Sequence, residues 1–266
     1  MAIRNVPAGN GVTWITEAIQ LILKNPGPFV LMGLVMAVAG VIPILGSLAL
    51  AVLGPSLYGG IAWAAREQSR GGTAMFDQLF QAFREDGKIG PMLILCLPGV
   101  IGGVIVGILV VILIAVTMAG AGISAATDST TALWASLGVG GLFALVIILA
   151  LAIAVFALTF FAIPDVMFAR NDAIAAIKQS ARASMANIGA LLVYLLILMV
   201  AMMLVVIVLS VISSILAQFL VSIALAPIVG VSMYLAWKDI YGERAAELAG
   251  DAAGQFEPKD DGGIVA

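Results

Sequence analysis

The chain has 266 residues, of which 63% are hydrophobic and only 10% charged, with a formal net charge of -3. A soluble domain carries roughly 25% charged residues, so this composition excludes a protein dissolved in water and points to lipid as the solvent. The net charge says little about partners, because the charges are segregated along the chain.

In chain order, no basic region, short apolar core and small-residue cleavage site precede the first apolar stretch, so no signal peptide is expected there. Residues Thr13 to Lys24 are polar at Thr13, Thr16, Glu17, Gln20 and Lys24 and apolar at Trp14, Ile15, Ala18, Ile19, Ile22 and Leu23. That period predicts an amphipathic helix over 13–24. Asn25-Pro26-Gly27-Pro28 then opens a stretch uncharged to Ala65, interrupted at Ile42-Pro43-Ile44-Leu45-Gly46-Ser47. A spanning helix needs about 20 residues, so two spans fit, 27–44 and 47–66, around a tight turn.

A second amphipathic helix is predicted over 73–86, with Met75, Phe76, Leu79, Phe80 and Phe83 on one stripe and Asp77, Gln78, Gln81 and Arg84 on the other. From Ile89 to Ala169 only Asp128 and Asp165 are charged, and the small polar run Gly120 to Thr131 divides the stretch into spans 89–119 and 133–168, the second long enough to tilt. Pro98 predicts a kink. A third amphipathic helix, 172–185, sets Ile174, Ile177, Ala181 and Met185 against Lys178, Gln179 and Arg182, with Asn171 or Asp172 as N-cap. Ala183 to Trp237 is uncharged, and Ser210, Ser213, Ser214 and Gln218 mark the turn between spans 188–209 and 214–238. After Lys238 to Glu247, which extends the last helix, the acidic segment 250–266 has too few apolar residues to pack and is expected to be a disordered tail.

The twelve Lys and Arg residues fall into four short segments, one between each pair of spans and one at each end. With six spans they all lie on one side of the bilayer, the cytoplasm of a bacterial cell, together with both termini. The second span of each pair carries a matching proline, Pro55, Pro164 or Pro227. The expected fold is therefore an all-α, polytopic membrane helix bundle over 1–249: six transmembrane helices in three helical-hairpin repeats, each preceded by a cytoplasmic interfacial helix.

Histidine is absent, which removes bis-histidine haem, histidine-bound zinc or copper, and a Ser-His nucleophile pair. With a single cysteine, Cys96, no iron-sulfur cluster and no disulfide are held by this chain alone, and Cys96 reads as a small buried hydrophobe. No phosphate-binding loop pattern occurs either, so neither catalytic nor metal-binding nor cofactor-binding residues are expected. Asp165, beside Pro164, is the candidate intramembrane polar site: either a proton or cation site at a broken helix or a carboxylate at the interface reaching water or an arginine. Gly99, Gly103 and Gly107 recur every four residues, the spacing of a close helix-packing seam within the bundle or between two copies. Trp14, Trp63, Trp237, Tyr58, Tyr234 and Tyr241 fall near inner ends of spans and Trp134 near an outer one, where interfacial anchoring accounts for them.

The run Val6-Pro7-Ala8-Gly9-Asn10-Gly11-Val12-Thr13-Trp14-Ile15, with Leu23-Lys24-Asn25-Pro26-Gly27-Pro28 at the mouth of the first span and Leu79-Phe80-Gln81-Ala82-Phe83-Arg84 in the first loop, resembles a family of uncharacterised proteobacterial six-helix inner-membrane proteins. That family is distantly similar to the membrane domain beside some glycerophosphodiester phosphodiesterases. The resemblance covers roughly the first 90 residues by motif and the rest by layout, and implies a topology and a compartment. It implies no catalytic residue, and with no phosphodiesterase domain in the chain that activity does not carry over.

The residues thus point to a non-enzymatic inner-membrane protein, a scaffold, lipid-interacting or accessory protein working through its cytoplasmic face. The candidate lipid or partner face is Arg66, Arg70, Arg84, Lys88, Lys178 and Arg182. Expected partners are membrane lipids, anionic ones among them, and a second copy or another membrane protein, with no nucleic acid. The alternative is a transporter or channel for a small neutral or apolar solute, which needs a cavity between the units.

Overall fold

A computed structural model describes residues 3–127, 138, 140–169, 172–211 and 213–242. Asp128, Trp134, Asn171, the part of the Lys238 to Glu247 extension after Gly242, and the segment 250–266, each given a place above, lie outside the described residues. Helices account for nearly all of the described chain, and no strand occurs among the described residues. They are α1 (Asn10–Lys24), α2 (Pro26–Val41), α3 (Leu45–Ser69), α4 (Gln81–Arg84), α5 (Ile89–Ile94), α6 (Leu97–Thr127), α7 (Gly141–Thr159), α8 (Ala162–Ala169), α9 (Ala173–Ala186), α10 (Ile188–Ser210) and α11 (Ser214–Tyr241), with a 3-10 turn at Phe76–Phe80.

Five segments are long and apolar enough to cross a membrane: Leu45–Ser69, Ile89–Ala126, Gly141–Ala169, Ile188–Ser210 and Phe219–Tyr241. The predicted first span is shorter than expected. At 16 residues α2 rises about 24 Å, against a hydrocarbon core of about 30 Å. It meets α1 at 110°, because Pro26 forces Asn25 out of the helical region (φ -149°) and then opens α2 at its own first turn. At its other end α2 turns into α3 through Ile44, whose φ of 61° closes a three-residue turn in which Leu45 N–H donates to the Pro43 carbonyl at 2.6 Å.

Two predicted spans are broken helices. The chain parts at Leu95–Cys96, just ahead of Pro98, and again at Phe160–Phe161, where Pro164 cannot donate to the Phe160 carbonyl. The second break is repaired from outside. Ser180 and Ser184 on α9 donate to the Ala157 carbonyl at 2.7 and 2.9 Å, and Ser180 Oγ accepts from Phe161 N–H at 3.2 Å. Pro55 and Pro227, by contrast, sit inside continuous helices.

The helix predicted over 73–86 does not form as one element; a 3-10 turn and the four-residue α4 take its place. Leu79 and Ala82 are buried there, while Met75, Phe76, Phe80 and Phe83 remain exposed. In α9 the apolar stripe read from the sequence is only partly the packed one, with Ile177 against the core. Ala173, Ala176, Ser180 and Ala183 face the bundle, whereas Ile174 and Met185 are exposed, Met185 by 76%. Small side chains let a helix lie close enough to share hydrogen bonds with its neighbour, which a stripe of isoleucines would prevent. Asp172 does cap α9, accepting from Ile174 N–H at 3.3 Å.

One end of the bundle collects the hydrogen bonds. Ser69 Oγ and Tyr234 Oη lie 2.8 Å apart, Gln68 donates to the Leu21 carbonyl, Lys88 to the Val166 carbonyl, and Asn187 to the Arg4 carbonyl. The C-terminal ends of α3 and α11, the start of α10 and all of α1 therefore meet at this end, with the basic residues. The core is built on α3 and α11, of whose apolar windows 50% and 56% are buried, whereas only 6% is buried in Ile89–Ala126 and in Gly141–Ala169. So α6 and α7 form a hairpin at the edge of the bundle, presenting apolar side chains all round.

Candidate functional site

The six basic residues of the candidate face do not form one surface. Arg70, Arg84, Lys178 and Arg182 are exposed, and Arg84 pairs with Asp77 at 2.7 Å. Arg66 is half-buried, its guanidinium 4.9 Å from the Phe168 ring centroid and 5.8 Å from that of Trp63. Lys88 has to be removed from the face altogether. Gly87, at φ +74°, turns the chain so that Lys88 enters the protein at 6% exposure and donates from Nζ to the Val166 carbonyl at 2.7 Å. An ammonium held there cannot reach a headgroup.

Asp165 is not at water. It lies in the first turn of α8 at 1% exposure, and Trp237 Nε1 donates to its Oδ1 at 3.4 Å. With Lys88 anchored on the next residue, Val166, both charged groups belong to a buried polar layer around α8. Buried charge of this kind persists only when partnered. Asp165→Asn, which keeps an acceptor for Trp237 but removes the buried charge, is expected to lower the melting temperature in detergent by less than Asp165→Leu does. Asp165→Leu, which strands that donor, is expected to cost about 1–3 kcal/mol. Equal losses in both variants would show that the charge, rather than the acceptor, holds the layer.

Two polar residues at this end were not singled out from the sequence. Asp239 accepts from Arg4 Nη2 at 2.6 Å, from Asn10 Nδ2 at 2.7 Å and from Trp14 Nε1 at 3.2 Å, so it ties the N-terminal segment and α1 to the end of α11. A cleft of about 730 Å³ lies around it. Asn187, buried between α9 and α10, accepts from Val6 N–H at 2.7 Å and donates to the Arg4 carbonyl at 3.1 Å. The only local signal was an asparagine between two helical patterns. Its long-range partners have no signature in its own neighbourhood.

The aromatic residues also depart from expectation. Trp14, Trp237 and Tyr234 are wholly buried and Tyr241 nearly so; Trp14, Trp237 and Tyr241 pack with Phe160, Phe161 and Tyr194 into a ring cluster, and Tyr234 joins it through Phe168, instead of forming a belt at the interface. Trp14 stands 6.3 to 6.5 Å from the rings of Phe160, Phe161 and Tyr194, one contact edge-on. An interfacial belt needs rings facing lipid. These face one another.

Gly99, Gly103 and Gly107 make no packing seam within the bundle, for a Cβ added at any of them would meet no heavy atom within 4 Å. The close contact of α6 is made by Gly102, where a Cβ would stand 2.8 Å from Val155 Cγ2 of α7. Gly99 and Gly103 instead line an apolar cleft of about 580 Å³ between the α6–α7 hairpin and the α3–α11 core, and Cys96, which is only half-buried, lines it too. Among the described residues no group of three or more Cys, Asp or Glu side chains is placed to hold a metal. Comparison with protein families, with curated proteins and with solved structures finds no match to the chain.

Proposed function

We propose that the protein is a non-enzymatic, lipid-interacting protein of the bacterial inner membrane, a scaffold or accessory component that works through its cytoplasmic face. In this reading α2 is the sixth span, the bundle is three helical hairpins, and the end that gathers the basic residues and both chain ends lies in the cytoplasm. The resemblance of the first 90 residues to six-helix inner-membrane proteins supports the compartment.

One observation carries the proposal. At that end each connecting element packs one face on the bundle and leaves large apolar side chains exposed beside a basic residue: Ile19 and Leu23 with Lys24, Phe80 and Phe83 with Arg84, Ile174 and Met185 with Lys178 and Arg182. Apolar groups sunk at the headgroup boundary with cations above them are the arrangement that binds anionic lipid, at about 1 kcal/mol for each Lys or Arg near the surface. In nanodiscs of mixed phosphatidylglycerol and phosphatidylcholine, wild-type protein is expected to retain phosphatidylglycerol preferentially when released and weighed by native mass spectrometry. The combined variant K24Q/K178Q/R182Q is expected to lose most of that preference, and to fold normally because all three side chains are exposed. An unchanged preference would end the proposal.

A second reading, a transporter or channel for a small solute, is favoured by the cleft beside α6 and α7. Its lining suits an apolar solute better than a neutral polar one.

A further inference from the structure

We infer that the cleft between the α6–α7 hairpin and the α3–α11 core is a binding site for a single lipid acyl chain. The inference rests on the chain being embedded in a membrane and is independent of the cytoplasmic-face proposal, so either can fail without the other.

The first question is what can fill about 580 Å³ of space. Water at roughly 30 Å³ per molecule would number on the order of 20, and each buried water needs two to four polar partners. The side chains that line the cleft offer a hydroxyl at Tyr58, a thiol at Cys96 and a hydroxyl at Thr159, and the last already donates to the Val155 carbonyl at 2.9 Å. Three side-chain groups cannot hold that much water. The protein does not fill the space itself either, since the α6 wall carries, beside Gly102 and Val106, Gly99 and Gly103, whose Cβ positions are open. Left empty, the lining would forfeit its dispersion contacts along the whole wall.

Shape then chooses among apolar occupants. The lining runs along α7 from Ile148 to Thr159, a slot about 16 Å long at 1.5 Å per residue. A helix about 10 Å across is a rigid cylinder and does not follow a slot whose wall steps between bulky side chains and the open positions of Gly99 and Gly103. A flexible hydrocarbon chain does. It is also the material that surrounds α6 and α7, whose apolar windows are only 6% buried.

The test uses the full chain in nanodiscs containing a phosphatidylcholine with a diazirine midway along one acyl chain, irradiated and mapped by mass spectrometry. Label is expected on cleft residues such as Tyr58, Cys96 and Met233, above the level on Ile108 and Val111, which are exposed on α6 outside the lining. Gly103→Leu, which places a side chain in the open space, is expected to bring cleft labelling down to that outer level. Gly107→Leu, equally open but not part of the lining, is expected to leave it unchanged. Ala152→Leu, on the α7 side of the lining, repeats the test should Gly103→Leu fold poorly, and thermal unfolding of each variant reports on the fold. Cleft labelling that never exceeds the outer level, or that survives both filling variants, overturns the inference. So does labelling by a compact aromatic diazirine in the absence of labelling by the phospholipid, which would assign the cleft to a small apolar solute.

Discussion

Gly33→Leu is expected to lower the stability of the bundle in detergent by more than about 3 kcal/mol, whereas Gly103→Leu is expected to leave it nearly unchanged. A Cβ on Gly33 of α2 would stand 2.0 Å from the Ile223 carbonyl oxygen and 3.1 Å from Pro227 Cδ on α11. Overpacking ordinarily costs about 1–3 kcal/mol because neighbouring side chains can move aside. Here the obstacle is backbone of the most buried span, so the helices must separate and α2 loses its main partner. At Gly103 the same added side chain enters open space. Thermal unfolding followed by circular dichroism separates the two. Equal losses would mean that Gly103 of α6 also sits in a close helix contact.

Trp14→Ala is expected to cost about 3–5 kcal/mol, the range for truncating a fully buried aromatic residue. Its ring joins Phe160 and Phe161 from the α7–α8 break to Tyr194 of α10, and its N–H is one of the three donors on Asp239. Few other residues connect so many elements. Without it α1 is still held by buried Ile15, Ala18 and Leu21, at Gly11, where a Cβ would stand 2.2 Å from the Ala190 carbonyl, and by the Asn10–Asp239 and Gln68–Leu21 hydrogen bonds. Limited trypsin digestion is expected to cut at Lys24 much faster in Trp14→Ala than in wild type. Trp14→Phe keeps most of the packing and loses the donor, so its cleavage rate divides the ring's contribution from the hydrogen bond's. A variant as resistant as wild type would show that α1 is held by its neighbours alone.

Much of the layout was legible because membrane burial is a property of short windows. Twenty apolar residues without a charge make a span wherever they occur, and the predicted limits of α3, α10 and α11 lie within a few residues of the helices. Proline marked positions of strain, though not their outcome. Pro98 and Pro164 sit just after breaks, while Pro55 and Pro227 are absorbed, and the difference lies in what stands nearby: Ser180 and Ser184 are there to satisfy the freed groups at the α7–α8 break. The candidate residues were less legible. Lys88 has the same neighbours in sequence as any loop lysine, yet a glycine turn sends it inward to Val166. The stripe Gly99–Gly103–Gly107 has the spacing of a helix seam, and spacing is blind to whether a partner stands opposite.

By itself the sequence determined the helical class and the long apolar helices able to cross a membrane, because those follow from local composition. Tertiary structure alone decided which face of each connecting helix packs, which charges are buried and where space is left between helices. These depend on pairs of residues far apart in the chain: Arg4 with Asp239, Lys88 with Val166, Gly33 with Ile223. In hydrocarbon every apolar face is equally content with lipid, so hydrophobicity cannot choose between neighbours, and close approach and hydrogen bonding make the choice.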